Sequence, residues 1–315
     1  MRKICKIENS LNGSVVVLTY NGRLWINPCL RSIIKAGINE DKLFVIDNAS
    51  TDGTTDIIRL DFPNIRLIVN SYNLGFGSGN NIGIQAALEL GSEFIMLLNQ
   101  DTRIAPDCII HLHQAVEDRG KEGLFVPLQL TYDGARIDPS MRKGLLSEVG
   151  SFVDDLWRGG LQPTYELPAA YGGALLFHRS IFERVGLFDE CFFLYGEDED
   201  LCRRIKRAGI PIWLVPQAHV YHWHTIMQGK GEKNPSINHL VRRSRIILEL
   251  KDIERTWSRS YMSVMHTLFN QSLHAIALLE WQRFRNSVDD IAWLFRNIQR
   301  IKRSREHDKM MIKRV

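Results

Sequence analysis

No apolar run in this 315-residue chain approaches the roughly 18–20 residues that a bilayer-spanning helix needs, so no segment crosses a membrane on its own. Cysteine is scarce: Cys5, Cys29, Cys108, Cys191 and Cys202 are the whole complement. None forms a CxxC pair, and an odd, scattered set predicts free thiols in a reducing compartment. The opening MRKICKIENSLNG is basic but lacks the apolar stretch of a secretory leader, which predicts a cytoplasmic location. Internal repeats and low-complexity tracts are absent. So is a strong excess of one charge: 40 Lys and Arg stand against 36 Asp and Glu, too small a difference to imply nucleic acid as a partner. That charge is unevenly spread. Residues 1–250 hold 27 basic and 29 acidic side chains, whereas residues 251–315 hold 13 and 7. The basic character is local to the tail, as a membrane-surface or docking element requires.

What is present has the make-up of a globular protein, with 44% apolar and 24% charged residues. Short β-branched runs at 15–19, 42–46, 65–69 and 94–98 predict strands, and the stretches 24–36, 54–61 and 80–90 between them predict helices. This alternation predicts βαβ units and a mostly parallel sheet. A helix near 106–118 and a strand near 123–130 follow. The Gly/Asp/Arg-rich stretch 131–145 carries no clear pattern. Beyond it, 174–177 and 212–215 predict strands, Ser180 with Glu183 has the spacing of a capping box, and the chain past 236 reads as helical. The segment Gly75-Phe76-Gly77-Ser78-Gly79-Asn80 fails the GxGxxG pattern and follows the third strand, which argues against a dinucleotide fingerprint. A loop that merely turns is the plain alternative.

Three clusters carry chemistry. Asp47 and Asp101 stand directly after strands, where open α/β sheets bind ligands. A carboxylate at Asp101 can hold a divalent cation against a phosphate-bearing ligand, or simply cap a turn with Thr102 and Pro106. Glu197, Asp198, Glu199 and Asp200 follow the aromatic segment Phe192–Tyr195. Four adjacent carboxylates repel one another and lose water, so one of them with a raised pKa suits a general base. Glu199 and Asp200 have Arg203, Arg204 and Arg207 at helical spacing. In AHVYHWHT, His219, His222 and His224 lie within six residues, a density that predicts a metal or phosphate contact, although the spacing matches neither a zinc finger nor HExxH.

Taken together, VVVLTYN at 15–21, VIDNASTDGT at 45–54, NLGFGSGNNIG at 73–83, LLNQDTRI at 97–104, AYGGALLFHR at 170–179, GLFDECFFLYGEDEDLCRR at 186–204 and the histidine segment resemble glycosyltransferase family 2. The resemblance is strongest to its rhamnosyltransferase-like branch and covers about residues 14–225 in the family's order. It implies a GT-A fold: an α/β, Rossmann-like, mostly parallel mixed sheet flanked by helices, with a helical C-terminal appendage. It implies a catalytic domain over 1–235 that binds a nucleotide sugar, and a basic helical region over 236–315. Thr19, Tyr20, Asn21, Asp47, Asn48, Gly75, Asn80, Asn99 and Gln100 would hold the donor. Asn48 stands where many members have a second aspartate. Asp101, preceded by Asn99 in an NxD variant of the DxD motif, would hold Mg²⁺ or Mn²⁺ with His222. Asp198 would be the base of a single, inverting displacement, with Gly173, Tyr195, Glu197, Glu199 and Trp223 serving the acceptor or supporting the site. The implied partners are a nucleotide-diphosphate sugar and a glycan or lipid-linked acceptor in cell-surface polysaccharide synthesis. A sugar-phosphate nucleotidyltransferase would use the same Asp101 without needing Asp198. A degenerate, non-catalytic glycan-binding module is the other alternative.

In the tail, Trp257, Tyr261, Met265, Leu268, Phe269 and Leu273 recur at helical spacing, as do Trp281, Phe284, Val288, Ile291, Phe295 and Ile298. Arg296, Arg300, Lys302, Arg303, Arg305, Lys309, Lys313 and Arg314 outnumber Glu306 and Asp308. Such a segment either lies on anionic lipid at the inner face of the membrane or packs its stripe on the catalytic domain or on a second chain.

Overall fold

Each apolar run in the first hundred residues is followed by an amphipathic segment able to cover it, and the two fold as strand and helix. The computed structural model describes residues 12–170, 172–223 and 235–312. Strand β1 (Gly13–Thr19) leads to α1 (Ile26–Lys35), β2 (Leu43–Asp47) to α2 (Thr54–Asp61) and β3 (Arg66–Val69) to α3 (Phe76–Glu89). β4 (Phe94–Asn99) and the short β5 (Thr102–Ile104) precede α4 (Cys108–Arg119). Then come β6 (Leu124–Thr131), α5 (Pro139–Glu148), α6 (Gly150–Arg158), β7 (Tyr165–Glu166), β8 (Ala174–His178), α7 (Arg179–Val185), α8 (Glu197–Arg207) and β9 (Ile212–His222). Three helices close the described chain: α9 (Pro235–Lys251), α10 (Trp257–Ala277) and α11 (Trp281–Ile312).

The strands form one sheet in the order β3-β2-β1-β4-β8-β6-β9-β5, with β7 also paired to β9. Parallel pairing runs through β3-β2-β1-β4 and recurs between β6 and β9, while β8, β5 and β7 run antiparallel to their neighbours. The sheet is therefore mixed, and its parallel character is concentrated in the first half. Buried side chains fill both faces: Val16, Ile46, Ile84 and Leu97 with others on one, Val15, Leu30, Val45 and Met96 with others on the opposite one. This is the period-2 alternation of strands covered on both sides.

Several elements depart from the sequence expectation. Helix α3 begins at Phe76, so the glycine-rich segment is its first turns and not a loop. A Cβ on Gly83 would lie 2.3 Å from Val16 Cγ1, and one on Gly79 2.5 Å from Leu18 Cδ1. These glycines let the helix lie against the sheet. Helix α7 is capped by His178, whose Nδ1 accepts from the Ser180 amide at 3.3 Å, and Glu183 pairs with Arg179 at 3.0 Å, so no capping box forms at Ser180. In the stretch without pattern, Asp138 caps α5 ahead of Pro139.

The tail's stripe is divided. Trp257, Tyr261, Met265, Leu268, Ile291 and Ile298 pack into a cluster with Ile247, Leu250 and Phe192, the last from the segment before α8. Phe269, Leu273, Trp281, Val288 and Phe295 are exposed. Nor is the basic run uniformly solvated: Arg305 is fully buried and donates to the carbonyls of Leu250, at 2.5 Å, and Arg255. No helix among the described residues is long and apolar enough to cross a membrane. Cys5, Tyr171, His224, Lys313 and Arg314 lie outside the described residues.

Candidate active site

Parallel pairing brings the carboxyl ends of β1, β2 and β4 side by side, with Thr19 opposite Asp47 and Leu18 opposite Asn99. Gln100 ties the first end to the third. Its Oε1 accepts from the Thr19 hydroxyl at 2.5 Å and the Tyr20 amide at 3.0 Å, and its amide donates to the Tyr20 carbonyl at 3.2 Å. Asn21, at φ 49°, donates its amide to Ser50 and accepts from the Thr51 amide, holding the two loops together. Asp47 is fully buried. Its Oδ1 accepts from the Ser50 amide at 2.8 Å, while Oδ2 has no partner among the described residues. Asn48 donates to the Gly75 carbonyl at 3.0 Å and accepts from Asn70 at 2.8 Å, so both ends of its amide are engaged within the protein. A Cβ on Gly75 would fall 2.2 Å from the Phe193 carbonyl oxygen. Above these strand ends lies a cleft of about 280 Å³ whose walls include Tyr20, Asn48, Gly75, Asn99, Gln100 and Asp101, closed on one side by Phe193. Asn80 is elsewhere. It is buried in α3 and bonds the Phe76 carbonyl.

At the far end of the cleft Asp101 meets His222, the last residue of β9. Asp101 Oδ1 is 3.5 Å from His222 Nε2, and Asp138 Oδ2 is 3.6 Å from Nδ1 on the other side of the ring. Burial alone would lower the histidine's pKa. The two carboxylates outweigh it and push the value up to about 9. Among the described residues no three His, Cys, Asp or Glu side chains converge as a metal site. Asp138 holds the His222 ring from the side opposite Asp101, the position from which a second carboxylate orients an imidazole. Trp223 anchors this corner through its amide to the Asp101 carbonyl (3.0 Å), and its ring packs on Trp25 and Tyr132. The His219 carbonyl accepts from the amide of Ala105, just past β5, at 3.0 Å.

Two glycines join that corner to the acidic helix. A Cβ on Gly172 would lie 3.1 Å from Asp198 Oδ2, and one on Gly173 would lie 2.5 Å from Gln129 Oε1 and 3.3 Å from His222 Cε1. The Gly173 carbonyl also accepts from the Asn99 amide at 3.1 Å. Asp198 and His222 therefore stand on either side of one dipeptide that has no side chains to separate them. Helix α8 begins at Glu197, where Gly196 at φ 87° provides the left-handed turn. Asp198 is thus inside the first turn. Its Oδ1 accepts from the Glu199 amide at 2.8 Å. Burial raises its pKa, the amides of Glu199, Asp198 and Gly172 pull it down, and the net direction is upward. Gly172 lies against its carboxylate, whereas Phe193 and Tyr195 are exposed and Phe192 turns into the tail cluster. Glu197 is buried beside it and is pushed up to about 8, first by burial and then by the charge of Asp198. Glu199 pairs with Arg203 at 2.6 Å, and Asp200 with Arg204 at 2.9 Å.

Gln129, Asp138, Gly172, Trp25 and Tyr132 were not singled out from the sequence. The Asp-Pro-Ser run at 138–140 is a legible helix start, but its contact with His222 depends on sheet pairing that no local pattern shows.

Residues 14–186 match the family model described as glycosyl transferase family 2, and residues 160–225 one described as the N-terminal domain of galactosyltransferase. An N-acetylglucosaminyl-diphospho-decaprenol L-rhamnosyltransferase of Mycobacterium tuberculosis is 30% identical over 268 residues, 78% of this chain and 86% of its own. A dTDP-rhamnosyl transferase of Shigella flexneri is 24% identical over 209 residues, 66% of this chain and 67% of its own. The crystal structure of GalNAc-T7 with UDP, GalNAc and Mn²⁺ superposes with a TM-score of 0.58 at 18% identity, over 93% of this chain and 58% of that one. The structural likeness carries the fold, and the sequence matches carry the family: the chain is a glycosyltransferase of family 2 built on the GT-A fold.

Proposed function

We propose that the chain moves L-rhamnose from a nucleoside-diphosphate donor, dTDP-rhamnose, to a hydroxyl of a lipid-linked glycan during cell-surface polysaccharide synthesis, at the inner face of the membrane. The names of the two relatives support the sugar and the acceptor class. The observation that carries the mechanism is the Gly172-Gly173 dipeptide, which seats Asp198 and His222 on its two sides. Residues 1–235 form the catalytic unit in this reading, and residues 236–315 its helical companion.

Asp198 takes the proton of the acceptor hydroxyl as that oxygen attacks the anomeric carbon. The bond to the diphosphate oxygen breaks in the same displacement, so the anomeric centre inverts. Partial desolvation suits Asp198 to this part by raising its proton affinity. The donor's base and ribose lie against Thr19–Asn21, Asp47 and Gln100. Asp101 and His222 would hold a divalent cation, Mg²⁺ or Mn²⁺, the imidazole giving up its proton to do so. When bound, the cation supplies positive charge against the departing diphosphate. The GalNAc-T7 structure, which holds UDP and Mn²⁺, supports that assignment by analogy of fold.

The test uses dTDP-rhamnose and a short-chain prenyl-diphosphate GlcNAc acceptor in detergent. Wild-type protein should release dTDP and form one new glycoside, and a chelator should stop it. Asp198→Asn should keep donor binding and lose ~10²–10⁴ in kcat, the range of general-base assistance. Near wild-type kcat in that variant overturns the assignment and points to Glu197. Pyrophosphate release from a nucleoside triphosphate and a sugar phosphate would favour a nucleotidyltransferase instead.

A further inference from the structure

Apolar side chains stand in water on the helical hairpin of the tail. While one side of α10 and α11 packs into the cluster around Phe192, the turn between them carries Leu278, Leu279 and Trp281 outward, Leu279 71% and Trp281 60% exposed. Behind the turn, Phe269, Leu273 and Ile276 continue the exposed surface on one face of α10, and Val288 and Phe295, each seven residues farther along, on one face of α11. The backbone marks the same place. Among the described residues four non-glycine residues have positive φ; Asn21, Ala49 and Tyr195 lie around the cleft, and the fourth is Leu279 at φ 57°. A glycine or asparagine would hold this turn at lower cost. Strained residues of this kind gather where a side chain has a use.

Charge selects the occupant. At the turn itself, from Phe269 to Val288, the one carboxylate is Glu280, bonded to Arg283 at 2.6 Å; farther along α11 exposed Asp289 follows, and Asp290 is buried against Arg242 and Arg243. Arg283 and Arg285 are both exposed just behind the apolar tip. Two copies meeting tip to tip would oppose like-charged arginines, whereas anionic headgroups complement them. We infer that the α10–α11 turn enters the interface of an anionic phospholipid bilayer, with Leu278, Leu279 and Trp281 in the acyl boundary and Arg283 and Arg285 against lipid phosphates. The inference rests on the proposed lipid-linked acceptor for its purpose, which is to hold the cleft where a prenyl chain is anchored. Membrane binding itself requires no acceptor.

The experiment is co-sedimentation of the full chain with phosphatidylcholine vesicles, with and without phosphatidylglycerol. Wild-type protein should sediment with the anionic vesicles and less with the neutral ones. Leu278→Glu combined with Leu279→Glu should lower the bound fraction ~10-fold or more, since charge replaces inserted apolar surface. Leu279→Asn, which suits the left-handed backbone, should keep or raise the melting temperature while still weakening vesicle binding. Both variants should transfer sugar in detergent at the wild-type rate. Undiminished vesicle binding by the double variant overturns the proposal. So does a wild-type dimer that ignores vesicles and becomes monomeric in that variant. Loss of detergent transfer in every form would overturn the proposed reaction and leave the vesicle result standing.

Discussion

Four consecutive carboxylates head helix α8, yet the molecule does not bear four unbalanced charges there. Glu199 and Asp200 are neutralised by arginines one turn on. Glu197, pushed up to about 8, favours its protonated form at neutral pH, which leaves Asp198 as the carboxylate of the four that is charged and has no cationic partner among the described residues. The proposal that it is the base rests on that division as much as on its place beside Gly172. The linkage has a definite sign. Glu197 has a folded pKa above its ordinary 4.5, so its contribution to stability is fully present below about 4.5 and is lost as pH rises through about 8. Glu197→Gln cannot ionise and should escape that loss. Melting temperatures of the two proteins should nearly coincide at pH 5 and diverge in the variant's favour by pH 9, corresponding to a few kcal/mol. Parallel melting curves across that range would show that Glu197 does not titrate in the folded protein.

At the scale of elements, the tail reaches the catalytic helix through buried charge. Lys251 at the end of α9 contacts Asp189, Asp200 at 2.9 Å and Asp308 of α11 at 3.0 Å, and Arg204 of α8 contacts Asp200 and, at 4.0 Å, Asp308. Ser304 of α11 adds a hydrogen bond to Asp189. Two cations face three carboxylates, and the arithmetic decides which loss matters. Lys251→Met would leave three carboxylates, Asp200 and Asp308 buried and Asp189 nearly so, against Arg204 alone and should cost ~3–5 kcal/mol, as breaking buried pairs does. Asp308→Asn would leave two against two and should cost much less. Urea unfolding of both variants checks the order, and equal losses would refute it. Beyond the Asp200–Arg204 pair, which stands at helical spacing, the helical periodicity gives no hint of the network, because Asp189, Lys251 and Asp308 lie far apart in sequence and meet only when α9 and α11 dock. The same holds for Arg305: read as one of a basic run, it is an interior residue that ties α11 to two carbonyls.

Across the whole molecule, what was legible in the sequence is what lies at strand ends. Asp47, Asn99, Gln100 and Asp101 follow short β-branched or leucine-rich runs, and parallel pairing gathers them as that pattern implies. The places of Asp138 and Gly172 beside His222 and Asp198 were not legible, since each meets its neighbour from another strand or helix. The glycine-rich segment was misread as a loop because its glycines serve close packing against the sheet and leave no polar signature. The gathered strand ends also predict which donor the cleft takes. Asp47 Oδ2 is buried and unpartnered among the described residues, and an orphaned carboxylate oxygen calls for a hydrogen-bond donor. Thymine and uracil offer a ring N3–H, whereas cytosine has an acceptor at N3 and its donor on the exocyclic N4, so a carboxylate oxygen seated opposite N3 takes the first two. A ligand at 100 times its Kd stabilises the folded state by ~2.7 kcal/mol, a shift of several degrees in melting temperature for a chain of this size. With Mn²⁺ present, dTDP and UDP should therefore raise the melting temperature by several degrees and CDP by much less. Asp47→Asn should erase that difference between bases, because its amide can face either pattern. Asp101→Asn should leave the preference among bases intact and remove the part of the shift that depends on Mn²⁺. Equal protection by all three diphosphates in the wild-type protein would mean that Asp47 does not read the base.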